Sequence, residues 1–69
     1  MITKEIGSRI KELRKAQGLS QEKLALLANL DRTYLAGVES GRRNISVIKL
    51  ETIINALNCS FSDFFEPFN

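Results

Sequence analysis

Three adjacent residues combine a planar cation with two hydroxyl groups: Arg32, Thr33 and Tyr34. Arginine is the most frequent partner of guanine O6 and N7, while hydroxyl groups can bind bases or phosphates. A second set of polar side chains follows about ten residues later, and its members can all donate to phosphate oxygens. They are Arg42, Arg43, Asn44, Ser46 and Lys49. These residue types predict the binding of a polyanion.

Catalytic chemistry has no comparable set of residues. The sequence contains no histidine, one cysteine (Cys59), no motif of paired carboxylates and no glycine-rich phosphate loop. Nothing therefore suggests a nucleophile with its base, and an enzyme is not predicted. One cysteine without histidine is also too little for a zinc site. No metal or other cofactor is predicted.

Length and composition are those of a small globular protein. The 69 residues are expected to form a single domain, residues 1–69, and 43% of them are hydrophobic, which is usual for a folded chain. No stretch approaches the ~18–20 apolar residues of a membrane span. The charged N-terminus is unlike a secretion signal, and a lone cysteine fits a reducing compartment. We expect a cytoplasmic protein without a membrane partner.

The net charge of +2 is unevenly distributed along the chain. All ten lysines and arginines lie between Lys4 and Lys49, where the net charge is +5, and the residues after Lys49 carry −3. This asymmetry suits one end of the molecule to face a polyanion and the other end to serve another purpose. A chance imbalance in a small protein is the alternative.

Hydrophobic spacing and capping residues predict five short helices and no strands. Apolar residues recur at helical spacing, and Ser20, Asp31, Ser46 and Ser60 are favourable N-caps. The predicted helices cover about 3–17, 21–28, 32–40 and 47–57, followed by a short helix between Ser60 and Pro67. Leu24, Leu27 and Ala28 are expected to lie on the inner face of the second helix.

The predicted third helix has one face made of small residues. On a helical wheel Leu35 and Val38 point inward, whereas the opposite face carries Thr33, Ala36, Gly37 and Ser40. A glycine inside a helix costs about 1 kcal/mol relative to alanine, so its presence needs a reason. We predict that Ala36 and Gly37 let the helix approach a DNA major groove, which is about 12 Å wide. Close packing against another protein helix is the alternative.

The second and third helices are joined by a short turn around Asn29, Leu30 and Asp31. A helix, a turn of three or four residues and a second helix form the helix-turn-helix geometry of DNA-binding proteins. Gln21, in the first turn of the second helix, is predicted to meet a phosphate with its amide and the free backbone N–H groups. Phosphate-binding groups would then lie on both sides of the small face.

The sequence resembles the helix-turn-helix domain of the lambda Cro and repressor type over residues 6–65. The resemblance is carried by SQEKLA, by TYLAGVE followed by a glycine, and by RRN, LETIINAL and SFSDFF. Asn29 replaces a glycine that is frequent in this family, but asparagine tolerates the same backbone. The resemblance implies an all-α fold, a compact five-helix lambda-repressor-like domain in which helices two and three form the helix-turn-helix.

Within that family, LDRTYLAGVESGRRN is most similar to the controller proteins of restriction–modification systems, which are small homodimeric transcription regulators. The similarity implies that Arg32, Thr33 and Tyr34 face the bases. It implies contacts to the DNA backbone or groove edge for Gln21, Arg43, Asn44 and Ser46. It also implies a buried ion pair between Arg14 and Glu39.

The C-terminal third holds more apolar side chains than a small core is expected to bury. Beyond the inner stripe of the fourth helix they are Ile45, Ile48, Phe61, Phe64, Phe65 and Phe68. We predict that they form the interface of a twofold homodimer, because one helix-turn-helix unit reads only half of a two-part site. The alternative is that some of the phenylalanines close the monomer core.

The predicted function is sequence-specific regulation of transcription by a homodimer on a two-part operator in double-stranded DNA. RNA polymerase is a candidate second protein partner. A phage-type repressor, a metabolic regulator, or an antitoxin-type regulator whose main partner is a protein are the alternatives, and the apolar C-terminus is compatible with the last. RNA is a weaker candidate ligand, because no aromatic platform is interleaved with the basic residues.

Overall fold

A computed structural model describes residues 1–68 and shows only helices and their connections there. The elements are α1 (Ile2–Ala16), α2 (Gln21–Ala28), α3 (Arg32–Glu39), α4 (Val47–Ala56), α5 (Phe61–Phe64) and a 3-10 turn at Glu66–Phe68. The all-α, five-helix prediction is confirmed. Pro67 does not end the last helix as expected, since α5 already ends at Phe64 and Pro67 lies inside the 3-10 turn.

Side-chain caps begin the four helices after α1 at the predicted residues. The capping oxygens of Ser20, Asp31, Ser46 and Ser60 each accept the backbone N–H three residues later, over 3.0–3.2 Å. Between α2 and α3 the chain reverses at Asn29, whose φ of 56° lies in the left-handed region that asparagine tolerates. The helix-turn-helix therefore consists of α2, a turn set by Asn29 and the Asp31 cap, and α3.

The core lies around α4 and receives side chains from each of the other α-helices. Its largest fully buried side chains are Ile10, Leu24, Leu35, Val38, Ile53, Ile54, Leu57 and Phe64. On α2 the inner face consists of Leu24, Ala25 and Ala28, and the prediction that Leu27 faces inward is wrong, because 51% of that residue is exposed. The small side chains of the two alanines allow close packing on this face. Leu27 points to a different side of the helix.

α1 and α3 touch at Gly7, without room for a side chain between them. A Cβ atom at this position would overlap the carbonyl oxygen of Val38 and would lie 2.8 Å from that of Glu39. Both obstacles are backbone atoms, which a rotamer change cannot move. The role of Gly7 could not be predicted from the sequence, because a glycine inside a helical pattern has no signal that distinguishes close packing from a weak point in the helix.

Arg9 on α1 holds the short C-terminal helix in place. Its Nε donates to the carbonyl of Phe64 at 2.8 Å, and its Nη2 donates to the carbonyl of Asp63 at 2.7 Å. The last carbonyls of a helix have no partner within the helix, so the guanidinium satisfies two of them. A helix of four residues is not stable alone, and Arg9 therefore helps to fix the apolar C-terminal segment against α1.

Replacing Gly7 by alanine is expected to destabilise the protein. Helix propensity alone would make Gly7→Ala stabilising by about 1 kcal/mol. Overlap with the α3 backbone should reverse the sign and cost about 1–3 kcal/mol or more. Urea unfolding measures the difference, with Ser8→Ala on the neighbouring exposed position as the matched control. A Gly7→Ala variant as stable as the unsubstituted protein would contradict the tight α1–α3 contact.

Candidate nucleic-acid interface

The first turn of α3 presents two of its predicted base-reading side chains to solvent. Arg32 and Thr33 are exposed, and Tyr34 is half-buried. Asp31 begins the helix by accepting the N–H of Tyr34 on its Oδ2 at 3.2 Å. Within residues 1–68 the Arg32 side chain forms no hydrogen bond or ion pair that would hold it against the protein. Its guanidinium is therefore available to a ligand at the N-terminal end of α3.

Tyr34 links α3 to the loop and to the start of α4. The guanidinium carbon of Arg43 lies 5.2 Å from the centre of the Tyr34 ring, and Lys49 Nζ lies 4.5 Å from it. The Tyr34 hydroxyl donates to the carbonyl of Asn44 in a long hydrogen bond of 3.4 Å. Cations bind aromatic faces at these distances. The structure thus brings together four of the predicted DNA contacts, from three different segments of the chain.

This cluster of Tyr34, Arg43, Asn44 and Lys49, here called the tyrosine cluster, carries two positive charges without a paired carboxylate in the described chain. The ion pairs there join Arg9 to Glu12 and Arg14 to Glu39. Two uncompensated cations on a surface attract an anion, and phosphate contacts of this kind dominate the affinity of proteins for DNA. The two cations of the cluster suit a phosphate group better than a base edge.

The loop after α3 is folded back onto the helix. Arg42 N–H and Arg43 N–H both donate to the carbonyl of Gly37, at 3.0 and 3.1 Å, and the Ser40 hydroxyl donates to the same oxygen at 3.0 Å. Arg42 remains exposed, and its Nε donates to Ser40 Oγ at 3.0 Å. These bonds fix the backbone from which the Arg42 and Arg43 side chains extend.

The prediction that Gly37 offers bare surface to DNA needs correction. Gly37 is buried, and the side chain of Arg43 covers it. The helical wheel placed Gly37 on the outer face, but it could not show that a loop residue would return to that face. Ala36 is partly exposed beside it. The small outer face of α3 is therefore narrower than predicted and consists of Thr33, Ala36 and Ser40.

A buried polar network sets the position of α3 relative to α1 and α2. Arg14 Nε donates to Glu39 Oε2 at 2.8 Å and Arg14 Nη2 to Oε1 at 3.0 Å, with the two residues only 7% and 6% exposed. Arg14 Nη1 also donates to the carbonyl of Leu19 at 2.7 Å. The ion pair that the resemblance implies is thus present in the structure, with two parallel hydrogen bonds.

Gln21 extends this network to the first turn of α2. Its amide nitrogen donates to Glu39 Oε1 at 3.0 Å. An amide group has two hydrogens, so one is left for the phosphate contact that the sequence predicts at this position. The same carboxylate therefore anchors α1, the α2 N-terminus and the end of α3.

The residues predicted at a dimer interface separate into core and surface. Phe64 is fully buried in the monomer, so its assignment to the interface is wrong. Phe65 and Phe68 are half-buried and pack on it, with ring centres 4.9 and 6.4 Å away. Ile45 is partly buried against the core. The alternative that phenylalanines close the monomer core holds for Phe64.

Ile48 and Phe61 remain accessible to a partner, with exposed fractions of 76% and 43%. Val47, which was not predicted as an interface residue, is 77% exposed in the first turn of α4. Val47 precedes the buried Leu50 by three residues, so helical spacing alone would have allowed it to face the core. In the structure it is outside the core. Val47, Ile48 and Phe61 are the exposed large apolar side chains in the C-terminal third of the described residues.

Cys59 lies between α4 and α5, and its thiol is not activated. Burial, with the charge of Asp63 nearby, raises the pKa of its thiol. A raised pKa keeps the sulfur protonated and a poor nucleophile. Among residues 1–68 no group of three histidine, cysteine or acidic side chains could hold a metal ion, and no helix is long and apolar enough to cross a membrane.

Comparison with known proteins gives related sequences and structures along most of the chain. Residues 10–64 match a protein family described as helix-turn-helix. Control protein C.MunI of Mycoplasma sp is 43% identical over 60 residues, which are 86% of this chain and 81% of that protein. The immunity repressor of Bacillus phage phi105 is 46% identical over 57 residues, which are 83% of this chain but only 40% of the repressor.

A solved structure with bound DNA is also similar. It is the restriction–modification controller protein C.Esp1396I, as a tetramer in complex with its natural 35 base-pair operator. The TM-score is 0.92 at 39% sequence identity, and the match covers 97% of this chain and 88% of that one. Five helices in this arrangement are therefore compatible with DNA binding in a protein of similar size.

Removing the charge of Glu39 is expected to destabilise the protein strongly. Glu39→Gln leaves the guanidinium of Arg14 buried without its counter-charge, which typically costs about 3–5 kcal/mol of unfolding free energy. Chemical denaturation measures the loss. The matched control is Glu12→Gln, which removes the acid of the exposed Arg9–Glu12 pair and should cost at most about 1 kcal/mol. Equal losses in the two variants would show that the buried network does not hold α3.

Proposed function

Because this chain belongs to the helix-turn-helix family and is similar along most of its length to restriction–modification controller proteins, we propose that it is a sequence-specific transcription regulator of the controller type. It binds a two-part operator in double-stranded DNA as a homodimer. The observation that supports this most directly is the N-terminal end of α3, where the exposed Arg32 and Thr33 stand beside the cationic tyrosine cluster.

In this proposal α3 enters the major groove with its N-terminal end first. Arg32 reads guanine through O6 and N7, and Thr33 contacts the neighbouring base. Tyr34 has less freedom, because the two cations and the Asn44 carbonyl hold its ring at the rim of the groove. It offers its ring edge and hydroxyl to the outermost base of the half-site.

The DNA backbone is held on both sides of α3. On one side, phosphates meet Gln21 and the N-terminal N–H groups of α2, where the helix dipole favours an anion. On the other side they meet the cationic groups of Arg42, Arg43 and Lys49, with Asn44 and the hydroxyl of Ser46 as neutral donors. These contacts set the register of α3 and carry no sequence information themselves.

The homodimer is proposed to form through the C-terminal surface centred on Val47, Ile48 and Phe61. Val47 and Ile48 are mostly exposed in one turn of α4, and adjacent exposed apolar side chains can form part of an association surface. All of the basic residues precede Leu50, so the last part of the chain does not compete for phosphate. Twofold symmetry would place two α3 helices about 34 Å apart on one face of the duplex.

Residues 1–69 are proposed to form a single DNA-binding domain without enzyme activity. The protein is proposed to act in the cytoplasm, with RNA polymerase as an additional candidate partner. A second candidate is a phage-type repressor, which the 46% identity to the phage phi105 immunity repressor supports. Both functions use the same α3 contacts on DNA. The genes beside this one separate them, because a controller is expected next to a DNA methyltransferase and an endonuclease.

Arg32→Ala is expected to relax specificity at one base position in each half-site. The loss of the guanine contact should cost about 1–3 kcal/mol on the preferred duplex and little on a scrambled duplex of equal length. Fluorescence anisotropy gives both affinities, once the preferred sequence has been selected from a random pool. Arg42→Ala serves as the matched control and should weaken binding to the two duplexes alike. Equal losses for Arg32→Ala would place Arg32 on the phosphates.

Ile48→Asp is expected to convert the dimer to a monomer without unfolding it. The side chain is 76% exposed in the monomer, so a charge there costs the fold little but is unfavourable in an apolar interface. Sedimentation at micromolar concentration measures the change. Leu26→Asp is the matched control, since Leu26 is 72% exposed on α2 and outside the proposed interface. An unchanged dimer in Ile48→Asp would place the interface elsewhere.

A further inference from the structure

Gly37 holds the loop that follows α3 by backbone hydrogen bonds. Its carbonyl accepts the N–H groups of Arg42 and Arg43, and the side chain of Arg43 lies across its Cα. The loop and the arginine stem are therefore held by the same residue. From this geometry we infer that Gly37 is a positioning residue for Arg43, which controls how that guanidinium meets a DNA phosphate. The inference rests on the proposed function.

The side chain of Arg43 occupies the space that a side chain at position 37 would need. A Cβ atom on Gly37 would lie 2.6 Å from Arg43 Cγ, and the next nearest atoms, at 3.5 and 3.7 Å, are Arg43 Cβ and Cδ. The contact involves the stem of the side chain near the backbone and not its mobile end. The Arg43 backbone cannot easily retreat, since its N–H is bonded to Gly37 itself. An alanine at position 37 must therefore turn the Arg43 side chain away.

Turning Arg43 changes the tyrosine cluster. In the structure the stem runs over Gly37 and brings the guanidinium carbon to 5.2 Å from the Tyr34 ring, on which Lys49 also acts. With Arg43 displaced, Tyr34 keeps only Lys49, and the cluster loses one of the two charges that attract a phosphate. Adding a Cβ at position 37 should therefore weaken binding to the DNA backbone.

This mechanism differs from steric clearance, in which Gly37 is small so that DNA can approach α3. Clearance predicts that a larger residue at position 37 hinders DNA whatever stands at position 43. Positioning predicts that the effect of Gly37→Ala exists only while Arg43 is present. The two mechanisms are separated by a double-mutant cycle, because residues that act through one contact are not additive.

The experiment measures binding of the full chain to a mixed-sequence duplex over a range of salt concentrations. Arg43→Ala and Gly37→Ala are each expected to lower the slope of log affinity against log salt by about one unit, as for the loss of one phosphate contact. The double variant is expected to match Arg43→Ala alone. Two results would overturn the inference. One is a salt slope that is lower in the double variant than in Arg43→Ala alone. The other is an unchanged salt slope in Gly37→Ala when Arg43 is present.

Nuclear magnetic resonance tests the same contact without DNA. The Arg43 guanidinium carbon lies 5.2 Å from the centre of the Tyr34 ring, so the ring current of Tyr34 should shift the side-chain protons of Arg43. The shift should disappear in Gly37→Ala, as in the control Tyr34→Leu, and its persistence in Gly37→Ala would contradict the inference. Absence of duplex binding by the unsubstituted protein would instead refute the proposed function and leave this test valid.

Measurements of folding distinguish loss of structure in Gly37→Ala from displacement of Arg43 in a folded protein. If Gly37→Ala alone fails to fold, the double variant should fold, because Arg43→Ala removes Cγ, the atom nearest to the new methyl group. Circular dichroism at low temperature measures both. A double variant that remains unfolded would show that position 37 rejects a side chain for a reason other than Arg43.

Discussion

The contact between α1 and α3 fixes the position of the helix that carries Arg32 and Thr33. α3 has eight residues and is too short to be stable alone, so its direction in space has to come from its neighbours. At Gly7 the backbones of α1 and α3 meet without an intervening side chain. About two turns farther along the same face of α1, Arg14 joins α1 to Glu39 of α3 by two hydrogen bonds. Gln21 and the Leu19 carbonyl connect this pair to the start of α2. Close approach thus sets the distance and the ion pair sets the rotation of α3.

This arrangement explains how a 69-residue chain can hold the exposed side chains that are proposed to read bases in fixed positions. Buried charges do not by themselves make a protein stable, since the energy lost on desolvation is comparable with that gained from pairing. What the pair contributes here is direction, because a bidentate arginine–carboxylate contact tolerates little rotation. Arg32 and Thr33 then extend from a helix that cannot turn about its axis. The groups proposed to bind phosphate lie on the flanking α2 terminus and on the loop that is folded onto Gly37.

Much of the fold follows from local patterns in the sequence. Ser20, Asp31, Ser46 and Ser60 cap helices as expected, because capping depends only on residues three positions apart. The remaining features depend on contacts between distant residues. Gly7 and Gly37 look alike in the sequence, yet one meets the backbone of α3 and the other the side chain of Arg43. Four phenylalanines in nine residues signal an apolar surplus, but only the packing assigns Phe64 to the core and leaves Phe61 exposed.

Regulation by this chain requires that a pair of α3 helices recognise a two-part DNA sequence. Repeated selection of bound duplexes from a random-sequence pool, followed by sequencing, tests it most directly. The account predicts enrichment of two inverted half-sites whose centres are about one helical turn apart, each with a guanine at a fixed position. Recovery of a pool that is still random, or of a single unpaired half-site, would contradict it.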